Sequence, residues 1–344
     1  MNDCPLPASR YDHVAMGHGG GGRLTADLIA RVFLRAYGNE VLSALEDQAT
    51  VPAGGARIAI TTDAFVVRPL FFPGGDIGRL AVCGTVNDLA VGGARPLYLT
   101  AAFVLEEGFP LADLERIALS VRDTCALAGV RLVAGDTKVV DRGKGDGVYI
   151  TTTGVGAVPD GLHLSIAAAR PGDRILVSGP VGDHGVAILA LREGIELETE
   201  LASDCAPVTE LAQAVLAAAP ATRCMRDPTR GGLATVLCEL ASASAVAVRL
   251  DERSVPVRDE VRGACELLGL DPLYVACEGR LVAVVPADQT DAALESLSAL
   301  APGAGARVIG EVAAAPAGQV IATTVAGGER LVPLLSGEQL PRIC

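Results

Sequence analysis

The feature that most constrains the fold is the alternation of two hydrophobic patterns along nearly the whole chain. One short stretch typical of a β-strand is 57–63, which alternates and is rich in Ile and Thr. Further strands are expected at 98–105, 130–134, 148–156, 174–178 and 280–285. Longer stretches with the helical period lie between them, most clearly at 77–91 and 111–128. This alternation predicts an α/β (α+β) fold with mixed sheets covered by helices.

The pattern falls into two blocks, and Pro171-Gly172 marks the boundary between them. We expect a flexible lead-in at 1–16, an N-terminal domain at 17–167, a C-terminal α/β domain at 168–331 and a mobile tail at 332–344. Further helices are expected at 24–37 and 201–219, and a glycine- and charge-rich loop at 135–147. The tail has no pattern that would bury a face, which predicts flexibility.

Composition excludes some classes of partner. Half of the residues are hydrophobic, but no window reaches the ~18 consecutive apolar residues of a membrane span. The formal net charge of -13 argues against binding to a nucleic-acid backbone, which needs a basic face. Acidity is compatible with a magnesium–nucleotide complex, because carboxylates bind the metal, although it also simply favours solubility.

Cysteine usage indicates a reducing compartment. The nine cysteines are odd in number and include no CxxC pair, which predicts neither a disulfide framework nor a zinc knuckle. The first residues, MNDCPLPASR, lack the basic-then-apolar pattern of a signal peptide. We therefore expect a cytoplasmic protein.

Aspartates beside turns are the first candidates for phosphate chemistry, since the chain has no G-x-x-x-x-G-K-[ST] loop. They are Asp63, Asp88, Asp136 and Asp227. Carboxylates gathered from separate elements suit magnesium, whereas each aspartate alone is equally typical of a helix cap or turn. Asp88 is less easily explained in this way, because it lies inside a helical pattern where Asp is unfavourable.

Two further features are open to both a functional and a structural interpretation. The glycine-rich stretches 18–22, 143–147 and 178–185 would let backbone N–H groups approach phosphates, or they are ordinary turns. Glu278 follows the apolar run 275–277. A carboxylate there can have a raised pKa and act as a base, or it is a surface turn residue.

The sequence finishes on Pro341-Arg342-Ile343-Cys344. A thiol on a flexible tail can be modified at one site and delivered to another, and about a dozen extended residues reach roughly 40 Å. The alternative is a frayed end with an accidental cysteine. Arg342 would lower the pKa of the thiol and a terminal carboxylate would raise it, and the sequence leaves the balance open.

Several long motifs resemble one family, the HypE hydrogenase maturation proteins. They are 61–96 (TTDAFVVRPLFFPGGDIGRLAVCGTVNDLAVGGARP), 135–156 (GDTKVVDRGKGDGVYITTTGVG), 172–188 (GDRILVSGPVGDHGVAI), 225–241 (MRDPTRGGLATVLCELA), 274–282 (YVACEGRLV) and the final PRIC. The resemblance runs from about His13 to Cys344, nearly the whole chain.

This resemblance implies the fold shared by aminoimidazole ribonucleotide synthetase and selenophosphate synthetase, with the N-terminal domains of a homodimer forming a barrel-like core. It also implies a reaction. A carbamoyltransferase, HypF, places a carbamoyl group on the terminal thiol, and ATP with Mg²⁺ drives dehydration of the S-carboxamide to an S-cyanate. The nitrile then passes to iron on a HypC–HypD complex, on the way to nickel–iron hydrogenase.

The resemblance also implies roles for individual residues. Cys344 is the carrier, Glu278 the proton acceptor, and Lys138 stabilises charge on the phosphorylated oxygen. The expected magnesium ligands are Asp63, Asp88 and Asp227. The expected ATP-binding residues are Asp63, Asn87, Asp88, Asp136, Thr137, Thr229 and Arg230.

Three rival interpretations remain. Selenophosphate synthetase is expected to carry Cys or selenocysteine and Lys near its N-terminal glycine loop, and 18–22 has neither. A non-catalytic scaffold would dock partners through the tail, but the intact acidic motifs argue against it. A metal-binding tail is disfavoured, since one cysteine and four scattered histidines make a poor metal site.

Overall fold

The computed structural model describes residues 13–195, 201–335, 340 and 342–344 of the chain. Two larger β-sheets organise these residues. The first sheet has the strand order β1-β2-β7-β5-β6. Its strands are β1 (Ala49–Ala53), β2 (Ala56–Phe65), β5 (Arg95–Glu106), β6 (Arg131–Val140) and β7 (Val148–Val158). A small hairpin joins β3 (Phe71–Phe72) to β4 (Gly75–Asp76).

The second sheet has the order β14-β13-β10-β12-β8-β11-β9. Its strands are β8 (Arg174–Val177), β9 (Cys224–Arg226), β10 (Ala247–Asp251), β11 (Val282–Val285), β12 (Arg307–Ala313), β13 (Gln319–Thr323) and β14 (Glu329–Leu331). The parallel pair β10–β13 and the antiparallel neighbours make this sheet mixed, as the sequence predicts.

Helices cover both sheets. The α-helices of the described residues are α1 (Arg23–Leu28), α2 (Leu34–Tyr37), α3 (Ile77–Val91), α4 (Leu111–Ala128), α5 (Asp183–Glu193), α6 (Thr209–Ala218), α7 (Gly232–Ala243), α8 (Asp259–Leu268) and α9 (Thr290–Ser298). Short 3₁₀ turns are Met16–Gly19, Leu42–Ala44, Ile166–Ala168, Pro272–Tyr274, Ala287–Gln289 and Ala301–Gly303. No helix among them is long and apolar enough to cross a bilayer.

Helix α3 lies between the two sheets. Its side chains are buried almost all round, because it packs on β2 and β7 of the first sheet and also on α6 and β9. The helix begins where the Asp76 carboxylate accepts hydrogen bonds from the backbone N–H groups of Gly78 (2.7 Å) and Arg79 (3.0 Å). A polar residue on this helix therefore points into the protein rather than into solvent.

One hydrophobic cluster joins the two halves of the fold. It combines Ile77 and Leu80 of α3 with Ile188 of α5 and Val275 from the segment before β11. Ile343 of the tail packs into the same cluster. Since burial of such side chains contributes roughly 1.5–3 kcal/mol each, the relative position of the two sheets is fixed by a shared core.

The structure corrects one expectation about secondary structure and refines two others. The segment 135–147 is a loop only in its second half, because β6 continues to Val140 through parallel pairing with β5. Of 201–219, only Thr209–Ala218 is α-helical. The helix at 24–37 contains a π-helical turn at Ile29–Phe33. The domain boundaries themselves stay a prediction.

We predict that Gly279→Ala destabilises the protein by about 2 kcal/mol or more, as overpacking does. A Cβ at Gly279 would overlap the backbone carbonyl oxygen of Asp204, which has little room to move. The matched control is Gly263→Ala inside α8, where a Cβ meets nothing within 4 Å. That change should stabilise by roughly 0.5–1 kcal/mol, and denaturant unfolding measures both. Equal stability of the two variants would contradict the packing described.

Candidate functional site

A cavity with an empty volume of about 360 Å³ lies where α3 and β2 meet the second sheet. Its lining comes from five separate segments: Asp63, Ala64, Phe65, Gly84, Asp88, Asp227, Thr229, Arg230, Glu278 and Cys344. The fold therefore brings together seven of the predicted site residues from distant parts of the chain.

The acidic end of the cavity has the donor set of a magnesium site. Carboxylate oxygens of Asp47, Asp88 and Asp227 lie within 4.8 Å of one another. Asp63 lines the same cavity from β2, and its charge raises the pKa values of Asp88 and Asp227. Mg²⁺ prefers hard oxygen ligands and is usually bound by one or two carboxylates together with water and phosphate oxygens, which a subset of these acids can supply. Two of the predicted metal residues, Asp88 and Asp227, belong to this group of carboxylates, and Asp63 as a metal ligand stays a prediction.

Charge crowding dominates the electrostatics of this end. Burial raises the pKa of Asp88 well above its usual range, and the three neighbouring aspartates raise it further. Burial likewise raises the pKa of Asp227 to about 6, although the Arg226 guanidinium opposes the shift. Burial also raises the pKa of Asp63, against the charge of Arg230. A bound cation would supply the missing positive charge.

Asp47 is the acidic residue that sequence reasoning missed. It lies just before β1, and its Oδ1 is 2.8 Å from Nη2 of Arg226. Arg226 also approaches Glu239 at 3.2 Å and Glu46 at 3.8 Å. Asp47 lies outside the family-like motifs of the sequence, and no local pattern around it indicates a metal ligand. The buried Arg226 holds it at the metal end of the cavity.

Glu278 reaches the cavity as a buried side chain, and the charge of Arg230 only partly opposes the effect of its surroundings on its pKa. It is 2% exposed, and its Oε1 has no hydrogen-bond partner within the described structure. Burial raises its pKa well above the usual range, and Asp227 and the other nearby acids raise it further. The carboxyl group therefore favours its protonated form until positive charge arrives nearby.

The side chain of Asn87, which was expected to bind the nucleotide, forms hydrogen bonds with backbone groups instead. Its side-chain amide donates to the carbonyl oxygens of Ala206 and Glu278, both at 3.1 Å. Its Oδ1 accepts from the N–H of Val208 at 2.8 Å. In this structure Asn87 thus positions the backbone around Glu278, and direct contact with a nucleotide stays a prediction.

The tail is docked beside the cavity. The N–H of Val66 donates to the Cys344 carbonyl (3.2 Å), and the N–H of Arg68 donates to the Arg342 carbonyl (3.1 Å). Leu340 and Ile343 are buried, so the expectation that this segment has no face to bury is wrong. The pattern was missed because two apolar residues are too few to show a period. Mobility of the tail stays a prediction.

Three predicted site residues lie elsewhere. Asp136, Thr137 and Lys138 are on β6, the edge strand of the first sheet, and do not line the cavity of their own chain. Lys138 and Asp136 are exposed and form an ion pair of 2.7 Å. That hydrogen bond lowers the pKa of Asp136. A role of this trio at the site stays a prediction.

Comparison with known proteins first defines the class. Residues 45–158 match the family described as AIR synthase related protein, N-terminal domain, and residues 170–323 match its C-terminal domain. The expected two-domain α/β fold is confirmed by these matches and by the two sheets. The chain is an AIR synthase related protein.

The particular family follows from nearer relatives. Carbamoyl dehydratase HypE of Azotobacter vinelandii is 56% identical over 335 residues, which cover 97% of this chain and 98% of that protein. A solved HypE–HypF complex is 45% identical with a TM-score of 0.85, covering 90% of this chain and 99% of that one. HypE in complex with ATP is 45% identical with a TM-score of 0.82, covering 96% and 100%. The chain belongs to the HypE family, as its motifs indicate.

The buried acids predict an unusual pH dependence. Because the folded-state pKa of Asp227 is about 6 and that of Asp88 is also raised, the native state holds protons that the unfolded state has released. The free energy of unfolding should therefore fall as pH rises from about 4 to about 6. Without divalent cations, Asp88→Asn should raise the melting temperature at pH 8, and Mg²⁺ should stabilise only the parent.

Differential scanning calorimetry at pH 4.5 and pH 8, with and without Mg²⁺, measures both effects. A change of 1 kcal/mol corresponds to about 2–4 °C for a domain of this size. The control is Asp123→Asn, an exposed carboxylate on α4 beside Arg122, which should alter neither property. A melting temperature that rises steadily with pH in the parent would contradict the described carboxylate cluster.

Proposed function

We propose that this protein uses ATP to dehydrate an S-carboxamide on Cys344 to an S-cyanate, supplying cyanide ligands for the iron of nickel–iron hydrogenase. One observation carries the proposal: Cys344, Glu278 and the carboxylate cluster line a single cavity. A thiol carrier, a candidate base and a magnesium–nucleotide site are thus within one space. The names of the relatives support the same activity.

Each part of the cavity has a defined task in this reaction. ATP with Mg²⁺ supplies the phosphoryl group that converts the poor amide leaving oxygen into phosphate. Asp63, Asp88 and Asp227 would hold the metal, with Asp47 completing the set. Thr229 and Arg230 line the same cavity and would bind phosphate oxygens. The existence of a HypE structure with ATP supports this assignment.

Glu278 would accept the amide protons as the carbon–nitrogen triple bond forms and the oxygen leaves as phosphate. Its raised pKa means that it must first lose its own proton. A cation bound to Asp63 and Asp227 would offset their negative charge and so lower the pKa of Glu278. Ionisation of Glu278 would therefore be coupled to binding of the metal by the aspartates. Once ionised, a carboxylate in such a poorly solvated place is a strong base.

The predicted role of Lys138 depends on the predicted homodimer. β6 is an unpaired edge that exposes Leu132, Val133 and Val139, which is unfavourable in a monomer. Pairing of two first sheets would cover this edge and bring Lys138 to the vicinity of a second copy. Lys138 would then stabilise charge on the phosphorylated oxygen, and Asp136 and Thr137 would contact the nucleotide.

Partners and compartment follow from the same chemistry. The carbamoyl group would come from HypF, consistent with the solved HypE–HypF complex. The cyanide would leave to iron held by HypC–HypD. The buried cysteines Cys83, Cys125, Cys205, Cys224, Cys265 and Cys277 are not in disulfides, which favours a reducing compartment such as the cytoplasm.

The first test follows the mass of the intact protein during the reaction. Incubation with the carbamoyltransferase, carbamoyl phosphate and ATP should add one carbamoyl group, and further Mg-ATP should then remove one water. Peptide mapping should place the modification on Cys344, and Cys344→Ala should stay unmodified. An adduct that persists on Cys344→Ala would remove the tail from the mechanism.

The second test concerns the proposed base. Glu278→Gln should slow the loss of water roughly 10²- to 10⁴-fold, the usual range for removing a general base. ATP binding, measured by calorimetry, should be retained, since Gln preserves the shape of the side chain. Glu266→Gln on the outer face of α8 is the matched control. Near-normal dehydration by Glu278→Gln with intact ATP binding would assign the proton transfer to another group.

A further inference from the structure

We propose that His184 is a positioning residue that holds the tail in its docked place by a hydrogen bond to the peptide group just before Cys344. The inference rests on the proposed function in one respect, namely that the docked tail is the state in which the thiol reacts. His184 does not line the cavity and touches no reacting atom. It acts through the main chain of Ile343.

The surroundings of His184 fix its ring rigidly. It is the second residue of α5 and is fully buried. The ring of Phe72 meets it edge-on, with a centroid distance of 5.6 Å. On its other side, Nδ1 lies 2.7 Å from the hydroxyl oxygen of Ser203, which also accepts a hydrogen bond from the N–H of Cys205. The imidazole therefore has one orientation.

The chemistry of the partners determines the tautomer. Nε2 lies 2.7 Å from the carbonyl oxygen of Ile343, which can only accept a hydrogen bond. Nε2 must therefore carry the proton, and Nδ1 accepts the hydroxyl proton of Ser203. Burial lowers the pKa of His184 to about 4, although the bond to Ile343 opposes this. The ring is thus neutral at physiological pH and holds the tail without a charge.

The contact gives the carbonyl of Ile343 a hydrogen-bond partner, as its two neighbours in the chain also have. The carbonyls of Arg342 and Cys344 accept hydrogen bonds from the N–H groups of Arg68 and Val66. The Ile343 carbonyl between them is bonded by His184 instead. Since Ile343 is buried, an unmatched carbonyl there would be costly. His184 is thus the side chain that makes a buried position of this residue favourable.

The test uses the alkylation rate of Cys344 to measure how readily the end of the tail dissociates from its binding place. The full-length protein, without partner or nucleotide, is treated with iodoacetamide, and the labelling rate of Cys344 is followed by intact mass and peptide mapping. His184→Leu should raise this rate about tenfold, because a buried hydrogen bond is lost. His184→Gln, whose amide can still donate, should stay within about threefold of the parent. Thr222→Val, a buried polar change whose hydroxyl bonds Ala219, is the matched control.

A purely structural role would not give this pattern. The buried cysteines of the described residues should stay unlabelled. In the full reaction His184→Leu should slow the loss of water while carbamoylation proceeds at the parent rate or faster. If His184→Leu fails to fold, Ser203→Ala decides, since loss of the ring's anchor should also speed labelling severalfold. The inference would be overturned if Cys344 in His184→Leu were labelled at the parent rate. If His184→Leu does not fold, the same result in Ser203→Ala would overturn it. It would also be overturned if His184→Leu and His184→Gln raised the labelling rate equally.

The outcomes also separate this inference from the proposed function. Labelling needs no catalysis, so faster labelling of His184→Leu in a protein that never dehydrates its adduct would support the dock and refute the dehydratase. Conversely, a parent that dehydrates normally while His184→Leu labels no faster would refute only the role of His184.

Discussion

The structure depends on the concentration of negative charge at one cleft. Asp63, Asp88 and Asp227 come from three different elements, and Asp47 joins them through Arg226. Burying mutually repelling carboxylates is unfavourable unless they are protonated or balanced by a cation. The shared hydrophobic cluster between the two sheets offsets this cost and keeps the acids together. A site of this kind is stabilised by the ligand that it is built to bind.

The same interface positions the base and the thiol. The N–H of Glu278 donates to Asp204, and its carbonyl accepts from Asn87 on α3. The side chain of Arg79, also on α3, donates to the Cys205 carbonyl. Because α3 carries Asp88 as well, a shift of this helix would move the metal end and the base together. The geometry of the reaction thus depends on one buried helix.

The sequence predicts some of these features well because local signals agree with the fold. Helix 77–91 was predicted at its observed bounds, and Asp88 was conspicuous as an acid inside it. Signals failed where tertiary contacts decide. Glycines and charges after 135 favour a loop, but pairing with β5 extends β6 past Lys138. No local sequence pattern indicates the roles of Asp47 and His184. The contacts that suggest those roles are with Arg226 and Ile343, each more than a hundred residues away in the chain.

The docked tail must satisfy two opposing requirements. It has to hold the thiol still during chemistry and yet leave for a partner protein. The described contacts suit that balance, because they include neutral hydrogen bonds of about 0.5–1.5 kcal/mol each and one partly exposed ion pair between Arg342 and Asp146. The guanidinium groups of Arg192 and Arg342 add hydrogen bonds to the carbonyls of Arg342 and Val66. A charged histidine at position 184 would bind the carbonyl more tightly and slow release. Burial keeps that ring neutral, so the tail is held by contacts that exchange readily for water.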